Sequence, residues 1–249
     1  MIRRLLLALG LALAPASAAA QAVHLDHYRA AETPEDGFAL SRPADLGHLR
    51  FGARLDLDYA YAPLVYETVR GDASTESAQV VEHLLAAQLG ASLGLFDRIV
   101  IYAGLPVQLA MEGEAVPGQP APDGASMGDL RLGAGGRPYG EREDAFAIAL
   151  QLTLTLPTAQ GVSPAARFAG EDGVTVHPEV IAEVRPGAGV RVGLSVGARM
   201  RATDRARFAD SGLAVGHELT WVIGAMVPVV DWLELGAQGF GSSPFEAFG

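Results

Sequence analysis

The residues best suited to chemistry in this chain are three histidines, His83, His177 and His217. An imidazole can take or give a proton near neutral pH and so serve as a general base. Each of the three falls near one end of an alternating segment. None stands at a recognised spacing from a serine nucleophile, and His83 falls in the apolar register of its segment. No H-x-x-x-H pair occurs, so a histidine metal site lacks its second ligand. No glycine-rich phosphate loop precedes a helix, and GxGxxG is absent from any strand-to-helix context. There are no cysteines, which excludes thiol chemistry and a disulfide scaffold. The sequence therefore nominates no catalytic, cofactor-binding or metal-ligating residue, and the chain reads as a non-enzyme.

A second set of chemically active residues is charged and recurs at every other position. It comprises Arg50, Arg54, Asp56, Asp58, Asp129, Arg131, Glu179, Glu183, Arg191, Arg199 and Glu218. Both signs are present. On one face of a closed sheet such charges would most simply pair with one another, because unpaired buried charge is costly. The alternative is that they line a narrow polar pore.

The elements that position these charges are strands. In His48 to Tyr61, HLRFGARLDLDYAY, every odd position from Leu49 is apolar, while the even ones carry His48, Arg50, Arg54, Asp56 and Asp58. A strand sends alternate side chains to opposite faces, whereas a helix would mix them. The same alternation recurs over about Ala78–Leu95, Ile99–Met111, Met127–Pro138, Phe146–Leu156, Val174–Arg185, Val190–Arg201 and Glu218–Val227, and again from near Trp232. The second of these also fits a helical stripe, but Gly90 and Gly94 favour a strand. Pro106 costs its strand a ladder hydrogen bond or marks a bulge.

The connections alternate in length. Pro63–Ser77, Glu112–Ser126, Pro157–Gly173 and Ala202–Gly216 are long, about 15 residues each; the others are tight turns. Outer-membrane barrels have short periplasmic turns and long extracellular loops. Tilted strands of about 9–11 residues cross a bilayer, and these segments reach about a dozen, against about 5–6 for an average soluble strand. The fold expected is all-β, an antiparallel up-and-down transmembrane β-barrel of about 8–10 strands. A soluble periplasmic barrel or sandwich is the competing architecture. Single-chain bacterial barrels have an even strand number. With about nine strands visible, and Gly241-Ser242-Ser243-Pro244 resembling the start of another loop, the last strand or strands are expected to be missing.

The ends and composition agree. Met1–Ala22 has Arg3 and Arg4, a short apolar run and small-x-small cleavage patterns, the marks of a secretory signal peptide. Val23–Gly47 is broken by Pro34, Gly37, Pro43 and Gly47 and reads as a periplasmic lead-in without regular structure. Residues 48–249 form the barrel. The net charge of −11 becomes about −13 once Arg3 and Arg4 are removed, which argues against a nucleic-acid partner. The partner implied is outer-membrane lipid, and the localisation is the outer membrane.

The stretches SRPADLGHLRFG (Ser41–Gly52), LFDRIVIYAGLPV (Leu95–Val107), GDLRLG (Gly128–Gly133), LTLTLPTAQG (Leu152–Gly161) and VTVHPEVIAEVRPG (Val174–Gly187) resemble the N-terminal barrel of large OmpA-family proteins of the myxobacterial type. The resemblance covers most of the chain beyond the signal peptide and identifies an architecture. It implies a structural barrel contributing to cell-envelope integrity, tethered to peptidoglycan through a periplasmic domain that this sequence does not contain. A narrow channel for small solutes is the alternative function, and a rim-sited hydrolase a more distant one.

Overall fold

The computed structural model describes residues 28–43, 46–69, 75–115, 121–141, 144–159, 168–171, 173–202, 206–208, 213–230 and 232–245. The predicted signal peptide, Met1–Ala22, lies outside them. The described residues form an all-β antiparallel array: β1 (Phe51–Val69), β2 (Thr75–Leu95), β3 (Ile99–Glu112), β4 (Asp123–Met127), β5 (Leu130–Tyr139), β6 (Phe146–Leu156), β7 (Thr175–Gly187), β8 (Val190–Arg201), β9 (Ala206–Phe208), β10 (Leu213–Val215), β11 (Glu218–Val230) and β12 (Leu233–Pro244). The main sheet runs β1-β2-β3-β5-β6-β7-β8-β11-β12 in up-and-down order, with β4 also on β3; β9 and β10 form a separate hairpin.

Each expected strand is present, and the ambiguous second segment is a strand of 21 residues. Several boundaries differ. Pro63 lies inside β1, because the first hairpin extends to Val69↔Thr75, so the first loop is much shorter than expected. The second long connection contains β4, and the fourth contains the β9–β10 hairpin. Gly241 to Pro244 do not open a loop. They continue β12, paired with Trp221 to Glu218 of β11. Their small polar composition reads as a turn, but the ladder donors and acceptors offered by β11 override that preference. Pro106 stands where the partner of β3 changes from β5 to β4, and its carbonyl accepts from Gly128 N at 2.8 Å. Its missing N–H therefore falls at a break in the ladder on that side.

The tight turns have a local cause. Ala188 (φ 50°) and Gly189 (φ 73°) connect β7 to β8, and Phe96 (φ 56°) and Asp97 (φ 55°) connect β2 to β3. Two successive left-handed residues match the twist of the flanking strands.

The sheet curls. Arg54 on the β1 edge and Gln238 on the β12 edge both reach the same segment, residues 33–40, which lies against the concave face. As first and ninth strands of an alternating path, β1 and β12 run in the same direction, and among the described residues they do not pair with each other.

Burial follows the alternation in an unusual sense. The apolar register is exposed: Leu55, Leu57, Leu89, Ile101, Leu150, Leu152, Val180, Leu194, Ile223 and Leu235 all face outward. The polar register is buried: Gln88, Arg131, Thr153, Thr175, His177, Glu183 and Ser195 are covered on the concave side. A water-soluble β fold does the reverse. A small apolar core, Val80, Val81, Leu84, Met111 and Phe168, lies at the long-loop end.

Candidate functional site in the polar interior

The register stacks the inward residues of β6, β7, β8 and β11 in rows. Thr153 is opposite His177, and Arg199 is opposite Glu218. One step along lie Gln151, Glu179, Gly197 and Thr220, paired in turn. These side chains face a segment from before the first strand. Residues 28–43 make no regular structure, as the breakers predicted, yet they sit across the concave face and not apart from it.

That segment is held by polar contacts to five strands, β1, β5, β6, β7 and β12. Arg29 Nη1 donates to His177 Nδ1 at 2.7 Å, and Arg29 Nη2 donates to Thr153 Oγ1 at 2.7 Å and to Glu32 Oε1 at 2.8 Å. Arg42 reaches Glu183 with Nε at 2.9 Å and Nη2 at 3.3 Å, a bidentate pair of the strong planar kind. Arg54, itself paired with Asp56 at 2.5 Å, donates to the carbonyls of Thr33 (3.1 Å) and Gly37 (2.7 Å). Gln238 Oε1 accepts from Ala39 N and Leu40 N. Arg137 Nη1 approaches the Pro43 carbonyl at 3.4 Å. The turn is closed from within, since Asp36 accepts from Thr33 N at 2.7 Å and Arg42 N at 2.8 Å. Burial pushes the Asp36 carboxyl up to about 6, against the backbone donors that favour its charge.

The long-loop end is closed by another carboxylate. Asp129, between β4 and β5, accepts from Ala159 N at 3.0 Å and Glu171 N at 2.6 Å. Desolvation raises its carboxyl to about 6 as well. Glu171 forms a bidentate pair with Arg201, at 2.9 and 3.1 Å. Ala159 and Glu171 are thereby drawn in toward β5 and β8, and Phe168 is buried nearby.

The three histidines do not meet. His83 is half-buried on β2, with Nδ1 2.7 Å from Tyr59 Oη and its ring stacked on Tyr59 and tilted against Tyr61. His217 accepts from Arg201 N at 3.1 Å and touches Phe245 edge-on. His177 alone is buried in a constellation that looks catalytic. Its Nε2 is 2.7 Å from Thr220 Oγ1, and Glu179 Oε2 is 3.3 Å from Nδ1. Arg29 decides the chemistry. A guanidinium can only donate, so Nδ1 accepts and the ring proton is on Nε2, which donates to Thr220. A general base would need Nε2 free to take the hydroxyl proton. His177 bridges the segment to β11.

The charges singled out in the sequence sort by this geometry. Arg54, Asp56, Glu183, Arg199 and Glu218 are ion-paired, and Arg191 pairs with Glu234 at 2.5 Å. Glu179 accepts from Ser195 at 3.0 Å and Gln151 at 3.4 Å. Arg131 donates to Gln88 at 2.8 Å. Arg50 is exposed. Arg29, Glu32, Asp36 and Arg42 were not singled out, since they lie outside any alternating strand. Their charge inside a stretch otherwise read as a lead-in was the only available signal. No cluster of three or more metal-ligating side chains occurs among the described residues.

No known family model matches the chain, and no curated protein matches it either.

Proposed function

We propose that this chain is a structural outer-membrane β-barrel, with its apolar face toward lipid and a charge-paired interior filled by residues 28–43. The carrying observation is the inversion of burial: long strands present Leu, Ile and Val outward and seal Arg, Glu, His and Thr inward. In water that arrangement would expose a large apolar belt, while in a bilayer it is the favourable one. The segment supports a structural role over a conducting one, because among the described residues ten hydrogen bonds tie it to the surrounding strands. The resemblance to OmpA-family barrels extends the reading to cell-envelope integrity. Peptidoglycan contact would then come through a domain outside these 249 residues.

The test is an immunoblot of separated inner and outer membranes, run heated and unheated in detergent. An outer-membrane band that shifts on heating is expected. A protein found only in the soluble periplasm overturns the reading. Steady ion conductance of the purified protein in planar bilayers would replace the structural role with that of a narrow channel.

A further inference from the structure

Residues 28–43 cross the interior from the gap between β1 and β12 to the middle of the sheet. At the gap, Arg54 of β1 donates to the Thr33 and Gly37 carbonyls, and Gln238 of β12 accepts from Ala39 N and Leu40 N. On the far side, Arg29 reaches Thr153 of β6, the fifth strand of the path, and His177 of β7. Arg42 reaches Glu183, also on β7. The two arginines flank the turn that Asp36 closes.

The segment sits against the wall as an insert. Its backbone bonds close on itself: Ala31 N donates to Phe38 O at 2.9 Å, Gly37 N to Leu40 O at 3.0 Å and Asp36 N to Thr33 O at 3.2 Å. It meets the far wall through side chains, so letting go there leaves the strand ladders whole. The wall is shaped to receive it. Gly193 of β8 and Gly224 of β11 are opposite each other, and a Cβ added to them would lie 2.6 and 3.4 Å from Leu40 Cδ2. One added to Gly52 would lie 2.9 Å from Pro34 Cδ. A barrel of about eight strands is just filled by its own side chains. Here a nine-strand path with glycine at these inward positions leaves a space that the segment fills. The fit at the two arginines is loose. Cavities of about 50 and 20 Å³ lie beside Arg29 and Arg42 respectively, each large enough for water.

We propose that residues 28–43 are a gate. Arg29 and Arg42 release the β6–β7 wall together while the turn stays held at β1 and β12, and the vacated space fills with water and passes small hydrated ions. The wall so uncovered is polar, with Gln151, Thr153, His177, Glu179 and Glu183 along it. Water can take over the hydrogen bonds lost there, which puts this release among the local openings that cost less than unfolding. The resting chain is closed, in keeping with the structural role above. The flow of ions rests on the bilayer reading; the movement of the segment does not.

The chain has no cysteine, so Ala149→Cys places a single thiol on the β6 wall, at a buried position facing Glu32, Asp36 and Arg42 across one of these cavities. The experiment times the reaction of this thiol with a charged methanethiosulfonate, on the folded full chain in uncharged detergent, and records ion current in planar bilayers. Labelling at least about tenfold faster than in the Ala149→Cys parent is expected when Arg29→Ser and Arg42→Ser are combined, together with discrete current steps that the parent lacks. Arg50→Ser, at an exposed arginine, should match the parent in both. If the double serine variant does not fold, Arg29→Lys with Arg42→Lys carries the comparison, since a lysine keeps the charge and loses the planar fork. Equal labelling in every folded variant overturns the proposal. So does a double variant that enters bilayers and stays silent, or a parent that conducts as much as the double variant. Failure of every variant to enter bilayers would instead sink the membrane reading, and the labelling rates in detergent would still decide whether the segment moves.

Discussion

Arg29 Nη1 and His177 Nδ1 lie 2.7 Å apart although 148 residues separate them in the chain. The bond joins the N-terminal segment to the start of β7, and through His177 Nε2 to Thr220 of β11. One imidazole thus links three elements, and its proton position follows from the donor-only guanidinium.

His177→Gln keeps a donor and an acceptor but not the spacing of the ring nitrogens. It should cost about 1–3 kcal/mol, the usual penalty for leaving a buried polar partner unsatisfied. Protease digestion of the folded protein should then cleave within residues 28–43 faster than in the wild type. Unchanged digestion would mean that this bond does not hold the segment.

Arg42 and Glu183 form a pair in which Glu183 is buried and also accepts from Arg185 at 2.6 Å. Removing Arg42 alone leaves that carboxylate partly uncompensated, and the expected loss is about 3–5 kcal/mol for a buried pair, less whatever Arg185 retains. Arg42→Met combined with Glu183→Leu should cost less than the sum of the single changes. Urea unfolding of the four proteins gives the coupling directly.

Asp36 predicts a pH dependence. Its carboxyl is raised to about 6 from an ordinary 3.8, so the folded form holds the proton more tightly than the unfolded one. The favourable contribution is full below about 3.8 and is lost as pH rises through 6. Asp36→Asn does not titrate. The stability of the wild type relative to this variant should therefore fall between pH 4 and 6 and stay level above it. A difference that rises over that window would contradict the environment described for Asp36. The nearby charges are Arg42 and Arg54, which remain protonated throughout.

Leu152 is exposed while its neighbour Thr153 is fully buried against Arg29 and Tyr102. Leu152→Arg should lower stability in a bilayer by about 2–4 kcal/mol if it lies near the midplane. In uncharged detergent the loss should be smaller. Folding yield into vesicles, compared with a Leu152→Ala control, checks this, and equal yields would count against an outward lipid face.

Gly133 faces the Tyr102 ring so closely that an added Cβ would overlap it. Tyr102 Oη is 2.6 Å from Thr153 Oγ1, so Gly133→Ala must push the phenol off that bond. A lowered unfolding temperature is expected for Gly133→Ala, with a much smaller change for Gly136→Ala, where an added Cβ would meet only a backbone oxygen at 3.8 Å.

Strand identity and facing were legible in the sequence because both are local. A period of two residues tells which side chains share a face, and a long alternating run tells that the element is a strand. The turns at 96–97 and 188–189 were legible for the same reason. What the alternating charges bind was not. Arg54 with Asp56 is a neighbour pair on one strand, but Arg42 with Glu183 and Ala39 with Gln238 join residues 141 and 199 positions apart. Such contacts depend on register and curl summed over the whole sheet, which no window of sequence contains. The destination of residues 28–43 was hidden likewise. Their prolines and glycines exclude regular structure, and only the closing curl of β1 toward β12 creates the polar concavity into which their charges fit. Gly241–Pro244 was misread for a related reason: its composition favours a loop, and only the tertiary pairing with β11 makes it strand. The sequence by itself determined the strands and their two faces, because side-chain alternation is a property of each strand alone. The tertiary structure decided which charges meet and what fills the interior, because those depend on elements brought together from opposite ends of the chain.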